Sequence, residues 1–113
     1  MQQLLSLEYN QLSSVGVHLI FESLGVHPSL QTLAMSCMAV SSPNASALAL
    51  ALSHNTSLRF LDLANACLGA AVAATIAASL TVPHGNTSLV YLNLVSNELT
   101  EAGGTSFATA LLA

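Results

Sequence analysis

Charge is nearly missing from this chain. Only 5% of its 113 residues are charged, and the single cation, Arg59, stands against Glu8, Glu22, Asp62, Glu98 and Glu101. A phosphate-binding surface needs several lysines or arginines, so nucleic acid is excluded as a partner. A basic helix lying on a membrane surface is excluded on the same ground. Tryptophan is absent, and three phenylalanines and two tyrosines are the only aromatics. Cysteine stops at Cys37 and Cys67, which is no disulfide framework. The two fall at different places in the repeat described below, so stacking would not bring them face to face. Reduced thiols and a cytoplasmic setting are the expectation. The stretch MQQLLSLEYNQL has neither a basic segment nor an apolar run of signal-peptide length.

What the chain has in excess is aliphatic surface, with hydrophobic residues at 53%. The segment from Ala64 to Val82 carries no charge for 19 residues, about the length that a bilayer requires. Most of its apolar residues are alanine, however, and its bulky ones (Leu68, Val72, Ile76 and Leu80) form one stripe at four-residue spacing. A one-sided stripe seeks a core on one face, whereas lipid asks for bulk all round. No membrane span is expected.

Between Leu89 and Leu111 the apolar residues change period. Leu89, Leu92 and Leu94 read as a short strand, Asn97 and Leu99 follow, and Phe107 and Leu111 recur like a helix face. The same template fits three more times, giving units at 2–29, 30–57, 58–88 and 89–113. The first has Leu5, Leu7, Asn10 and Leu12, then Gly16, Ile20 and Leu24, with Ser13 or Ser14 as helix N-cap. In the second, Ser42 before Pro43 reads as N-cap and first turn. The third returns through TVPHGNTS, where Pro83 and Gly85 mark a turn. Six apolar slots in four units make 24, and Leu, Ile, Val, Met or Phe fill 23, with Gln2 the exception. Those types number 38 of 113 residues, so random placement would fill only about eight slots. One domain built from repeats is the reading.

The motifs LVYLNLVSNEL at 89–99 and LRFLDLANACL at 58–68, with N-T-S-L returns at 55–58 and 86–89, resemble the leucine-rich repeat of the ribonuclease-inhibitor type. That resemblance implies an α/β fold: a right-handed solenoid forming a horseshoe segment, with a parallel sheet on the concave side and helices on the convex side. It implies a protein–protein interaction module, as in the NOD-like receptors, with no cofactor and no enzymatic activity. The alternatives are a fragment of a Ran-type GTPase-activating protein, or a truncated repeat product with no function of its own. The family's asparagine beyond the strand ties neighbouring coils together. Asn10 and Asn97 keep it, and Met38 and Ala66 replace it. Restoring it by Met38→Asn and Ala66→Asn is expected to stabilise the stack. The helix-start glycine gives way to Asn44 and Val72. Neither end carries a polar cap, so the expectation is a fragment of a longer array, or self-association through the open ends.

Other chemistry is thinly supported. His27, His54 and His84 fall near helix ends on the return side, and stacking could gather them on one edge with His18 apart. Three neutral ligands without a cysteine or carboxylate make a poor metal site. Asp62 and the histidines lie on opposite sides of a coil, so no triad forms. Gly103-Gly104 lies inside a helical series and cannot be a phosphate loop. Asn44, Asn55 and Asn86 open N-x-S sequons, two of them within the N-T-S-L return.

The binding face is expected on the strands. Alternation sends Leu4, Thr32, Phe60 and Tyr91 to the concave side, then Ser6, Ala34, Asp62 and Asn93, then Glu8, Ser36, Ala64 and Val95. Tyr9, Cys37, Asn65 and Ser96 lie beyond the strand ends. The protein-binding residues are taken to be Phe60, Tyr91, Asp62 and Asn93, with Arg59 and Asn65 at the margin. Neighbouring parallel strands lie about 4.8 Å apart, which should bring Phe60 and Tyr91 into contact.

Overall fold

The computed structural model describes residues 3–8, 10, 12–81, 86 and 88–112. Four strands alternate with four helices: β1 (Gln3–Ser6), α1 (Ser14–Val26), β2 (Leu30–Ala34), α2 (Ser42–His54), β3 (Phe60–Asp62), α3 (Gly69–Ala78), β4 (Tyr91–Asn93) and α4 (Thr100–Leu112). The strands form one parallel sheet in the order β1-β2-β3-β4. A strand that feeds a helix and returns to the same sheet one place along must run parallel to its predecessor, and each coil here does so. Gln2, Tyr9, His84 and the turn at Pro83 and Gly85 lie outside the described residues.

The core lies between sheet and helices. Leu33 and Met35 of the second coil, and Leu61 and Leu63 of the third, are fully buried from the strand side. Leu48, Leu52, Val72 and Ile76 meet them from the helices. Full burial of an aliphatic side chain is worth about 1.5–3 kcal/mol, and this stripe is the largest favourable term in the stack. In α1 the buried stripe is Val17, Phe21 and Leu24, while Ile20 is only half-buried and Gly16 intermediate. A strict four-residue step drifts off the face of a helix that turns every 3.6 residues, so the true stripe passes one position over. α1 is capped by Ser13, whose Oγ accepts from Gly16 N–H at 3.2 Å. α2 is capped by Ser41, not Ser42, because Pro43 sits in the second helical position rather than the first. α3 is ten residues long, and no helix among the described residues is long and apolar enough to cross a membrane.

Two edges of the stack hold the coils in register. On the return edge Asn55, a buried residue, accepts Ser57 and Leu58 N–H on Oδ1 at 3.0 and 2.7 Å. Its Nδ2 donates to Leu24 C=O of the preceding coil at 2.9 Å. Asn86 repeats this one coil on, accepting Ser88 and Leu89 N–H and donating to Leu52 and Asn55 C=O at 2.8 and 3.0 Å. His27 holds the same place in the first coil, its Nδ1 accepting Ser29 and Leu30 N–H at 3.3 and 2.9 Å. His27 is thus equivalent to Asn55 and not to His54, whose Nδ1 lies 3.0 Å from Leu50 O. Both histidines stand at the return edge, one position apart in the repeat. The sequon amides of Asn55 and Asn86 are spent on backbone carbonyls. That of Asn44, also buried, donates to Ser14 C=O at 3.1 Å and clamps α2 to the start of α1.

On the strand edge Asn97 does the tying. Its Oδ1 accepts Ala66 and Leu68 N–H at 2.7 and 3.3 Å, and its Nδ2 donates to Leu63 C=O at 2.7 Å. Ala66 has no such side chain, and its carbonyl receives Val40 N–H at 3.0 Å instead. Met38 is buried in the core.

Candidate functional site

The strand pairing places the outward residues in rows. Leu4, Thr32, Phe60 and Tyr91 are partners across the sheet, as are Ser6, Ala34, Asp62 and Asn93. Phe60 and Tyr91 are 42% and 53% exposed, with ring centroids 6.2 Å apart and planes tilted by 45°. Tilted rings at this distance match the aromatic quadrupoles better than a flat sandwich. Thr32 is half-buried, and Ala34 and Ser36 of the second coil are buried. Among the described residues, the aromatic part of the face therefore lies on the third and fourth coils.

One row further along, Asp62 Oδ1 accepts Ala64 N–H at 3.0 Å, and Asn93 Oδ1 accepts Val95 N–H at 3.1 Å. Each caps the end of its own strand, so one oxygen of each is committed to the backbone. Oδ2 of Asp62 keeps its acceptor capacity, and Nδ2 of Asn93 its donors. Arg59 is exposed at the start of β3, its N–H donating to Gln31 C=O at 2.9 Å. Asn65 lies past the far end of that strand and donates from Nδ2 to Cys37 Sγ at 3.6 Å. Arg59 precedes Phe60 at the start of β3, and Asn65 lies in the turn after its far end.

Asn65 also carries a feature that the sequence reading passed over. Cys37, Asn65 and Ser96 have φ of 62°, 54° and 61°, in the left-handed region, at the same point of three successive coils. Asparagine tolerates that conformation better than most residues, which was the one visible signal. Cys67 and Glu98 repeat the pattern two residues on, and Gly69 and Thr100 again after that. The turn that follows each of the last two strands is thereby sharply folded.

A family model described as Leucine Rich repeat matches residues 54–76 and 85–108. These are the third and fourth coils, the same two that carry the patch. The chain contains leucine-rich repeats. No curated protein and no solved structure matches it. The repeats explain the parallel sheet, the helix after each strand and the cross-coil asparagines. Modules of this kind generally bind other proteins.

The helix side holds a second surface feature. A groove of about 750 Å³ runs between α1 and α2, lined mainly by apolar side chains such as Val26, Ala47 and Leu50, with His18 and Glu22 on one wall and His54 on the other. His18 Nε2 lies 3.3 Å from Glu22 Oε2. Sequence reasoning missed this groove because Val26 and Leu50 fall outside the core slots of the repeat.

Proposed function

We propose that the chain is a protein-binding module whose contact surface is the sheet face of its third and fourth coils. The single observation that carries this reading is the exposed Phe60–Tyr91 pair. Large aromatics already held by a neighbour lose little freedom on binding and dominate interface energetics. Asp62 and Asn93 supply an acceptor and a donor beside them, and Arg59 and Asn65 form the polar rim. The finer reading is a repeat segment of a cytoplasmic regulator of the NOD-like-receptor type. It is supported by the 28- and 31-residue steps from Leu33 to Leu61 and from Leu61 to Leu92, with a helix on every return.

Affinity capture with the wild-type chain and with Phe60→Ala and Tyr91→Ala tests the assignment. A specific partner is expected to be lost or weakened roughly 30-fold by either change, about 2 kcal/mol each. The urea midpoint should hardly move, because both rings are already half in solvent. Retention of the partner by both variants, with loss on Ala74→Glu on the helix side, would move the site to the opposite face.

A further inference from the structure

We propose that the sheet face takes an arginine side chain of its protein partner, whose guanidinium lies over the Phe60–Tyr91 pair and donates to Asp62. This rests on the reading that the face of the third and fourth coils is the contact surface, and it names what that surface receives. Further coils would add strands beside β1 or β4 and lengthen this face without covering it.

The charge on the face has one sign. Among the described residues of the strands and of the turns that follow them, the formal charges are Glu8, Asp62 and Glu98. Glu8 shares the side of Ser6, whose Oγ donates to its Oε1 at 3.4 Å. Arg59, the one cation, stands just before β3. The ion pair found among the described residues joins His18 to Glu22 on the helix side, so Arg59 does not neutralise Asp62.

The spacing suits a cation that stacks and donates at once. Asp62 follows Phe60 by two residues on β3, as Asn93 follows Tyr91 on β4, and the two pairs are neighbours across the sheet. Two residues of strand span about 7 Å. A guanidinium within about 6 Å of a ring centroid, where cation–π attraction acts, therefore reaches the Asp62 carboxylate in the same pose. Ala64 N–H holds Oδ1 of Asp62 at 3.0 Å, which orients the side chain before a partner arrives and leaves Oδ2 for the guanidinium. Asn93 likewise holds Val95 N–H with Oδ1 and keeps Nδ2 for a main-chain carbonyl of the same partner segment. Arginine fits better than lysine. Its planar head stacks on ring faces and sheds water more readily than an ammonium.

The test titrates a peptide of alternating arginine and glycine into the isotope-labelled chain and follows backbone amides by nuclear magnetic resonance. Matched peptides carry lysine, or citrulline, which keeps the shape of arginine without its charge. Saturable shifts are expected at residues 60–62 and 91–93, with lysine several-fold weaker and citrulline about tenfold weaker. Asp62→Asn is the decisive variant, because an asparagine still caps the strand end, as Asn93 does one coil on. It should weaken the arginine peptide about fivefold, and Phe60→Ala should do so to a similar degree. Equal binding of the arginine and citrulline peptides, arginine binding that Asp62→Asn leaves intact, or no shift on this face would each overturn the proposal. The reading beneath it fails by a different result. A captured partner that needs Phe60 and Tyr91 but not Asp62 would remove the arginine and keep the face, whereas one indifferent to both rings would remove the face itself.

Discussion

The two edges of the stack solve one problem in opposite ways. Both must satisfy backbone groups where a strand meets a turn. On the return edge, His27, Asn55 and Asn86 repeat a single device in three coils, and the asparagines add bonds to the coil before. On the strand edge, among the described residues at this repeat position, Asn97 alone has side-chain bonds to the preceding coil, and the positions before it hold Ala66 and Met38. There the turns rely on left-handed backbone at Cys37, Asn65 and Ser96, and on apolar packing. Among the described residues, none on the return edge has a positive φ. The left-handed positions on the strand edge occur with and without the asparagine: the turn holding Asn97 has three, at Ser96, Glu98 and Thr100, and the turn holding Met38 has one, at Cys37.

The largest way to break this comparison is Asn55→Ala. Asn55 is buried, and its loss leaves Ser57 N–H and Leu58 N–H without a partner and Leu24 C=O with His27 N–H as its remaining donor. At about 1–3 kcal/mol for each buried group left unmade, and with water reaching the half-buried Ser57, the expected loss is about 3 kcal/mol. A urea titration that showed Asn55→Ala within error of the wild type would mean that the return edge is not held by this ladder.

Met38→Asn comes next, and here the structure reverses the sign expected from the family pattern. Met38 belongs to the core, and removing a buried side chain of this size costs about 2–5 kcal/mol. The bonds that an asparagine would gain lie toward Asn10 and Leu12, both exposed, where each is worth about 1 kcal/mol or less. The net expectation is destabilisation of about 2 kcal/mol, read as a lower urea midpoint. A raised midpoint would show that hydrogen bonding outweighs packing on this edge.

Thr100→Gly sharpens the contrast in backbone strain. Thr100 has φ of 60°, a conformation that a β-branched residue strongly avoids, and Gly69 fills the same place one coil earlier. The change should stabilise by about 1 kcal/mol, offset in part by the greater freedom of glycine when unfolded. A thermal midpoint that falls would show that the threonine side chain contributes more than the strain removes.

The smallest expected effect belongs to Ala66→Asn. Its targets, Met38 and Val40 N–H, lie in buried turns, and alanine leaves little packing to lose. Val40 N–H already has the Ala66 carbonyl, so the gain is expected at about 1 kcal/mol. A drop in stability would show that the third turn has closed around the methyl group and that asparagine overpacks it.

Much of this molecule could be read before any coordinates. The strand columns were legible because alternation has a period of two, so one correctly placed leucine fixes the facing of its neighbours. Phe60 beside Tyr91 and Asp62 beside Asn93 follow from that and from the 28- and 31-residue steps. The stripe of α1 was legible only in part, because Gly16, Ile20 and Leu24 share a four-residue rhythm with the other coils. The helix turns every 3.6 residues and buries Val17 and Phe21. Ser41 was missed as the α2 cap for a local reason: proline fits either of the first two helical positions, and the sequence does not say which.

The sequence by itself determined the coil, since a chain of leucines at these spacings has no other way to bury them than to stack. It also determined which residues face away from the core on each strand. Only the tertiary structure decided what the polar residues do. Asn44 reads as a departure from a glycine, yet it clamps two helices because Ser14 of the coil before lies within reach. His27 reads as a charge near a helix end, yet it takes an asparagine's place because its Nδ1 stands where an amide oxygen stands in the next two coils. Periodicity records the burial of side chains, which repeats with the backbone. A hydrogen bond depends on a single donor meeting a single acceptor from a coil about thirty residues away, and that meeting exists only once the coils have stacked.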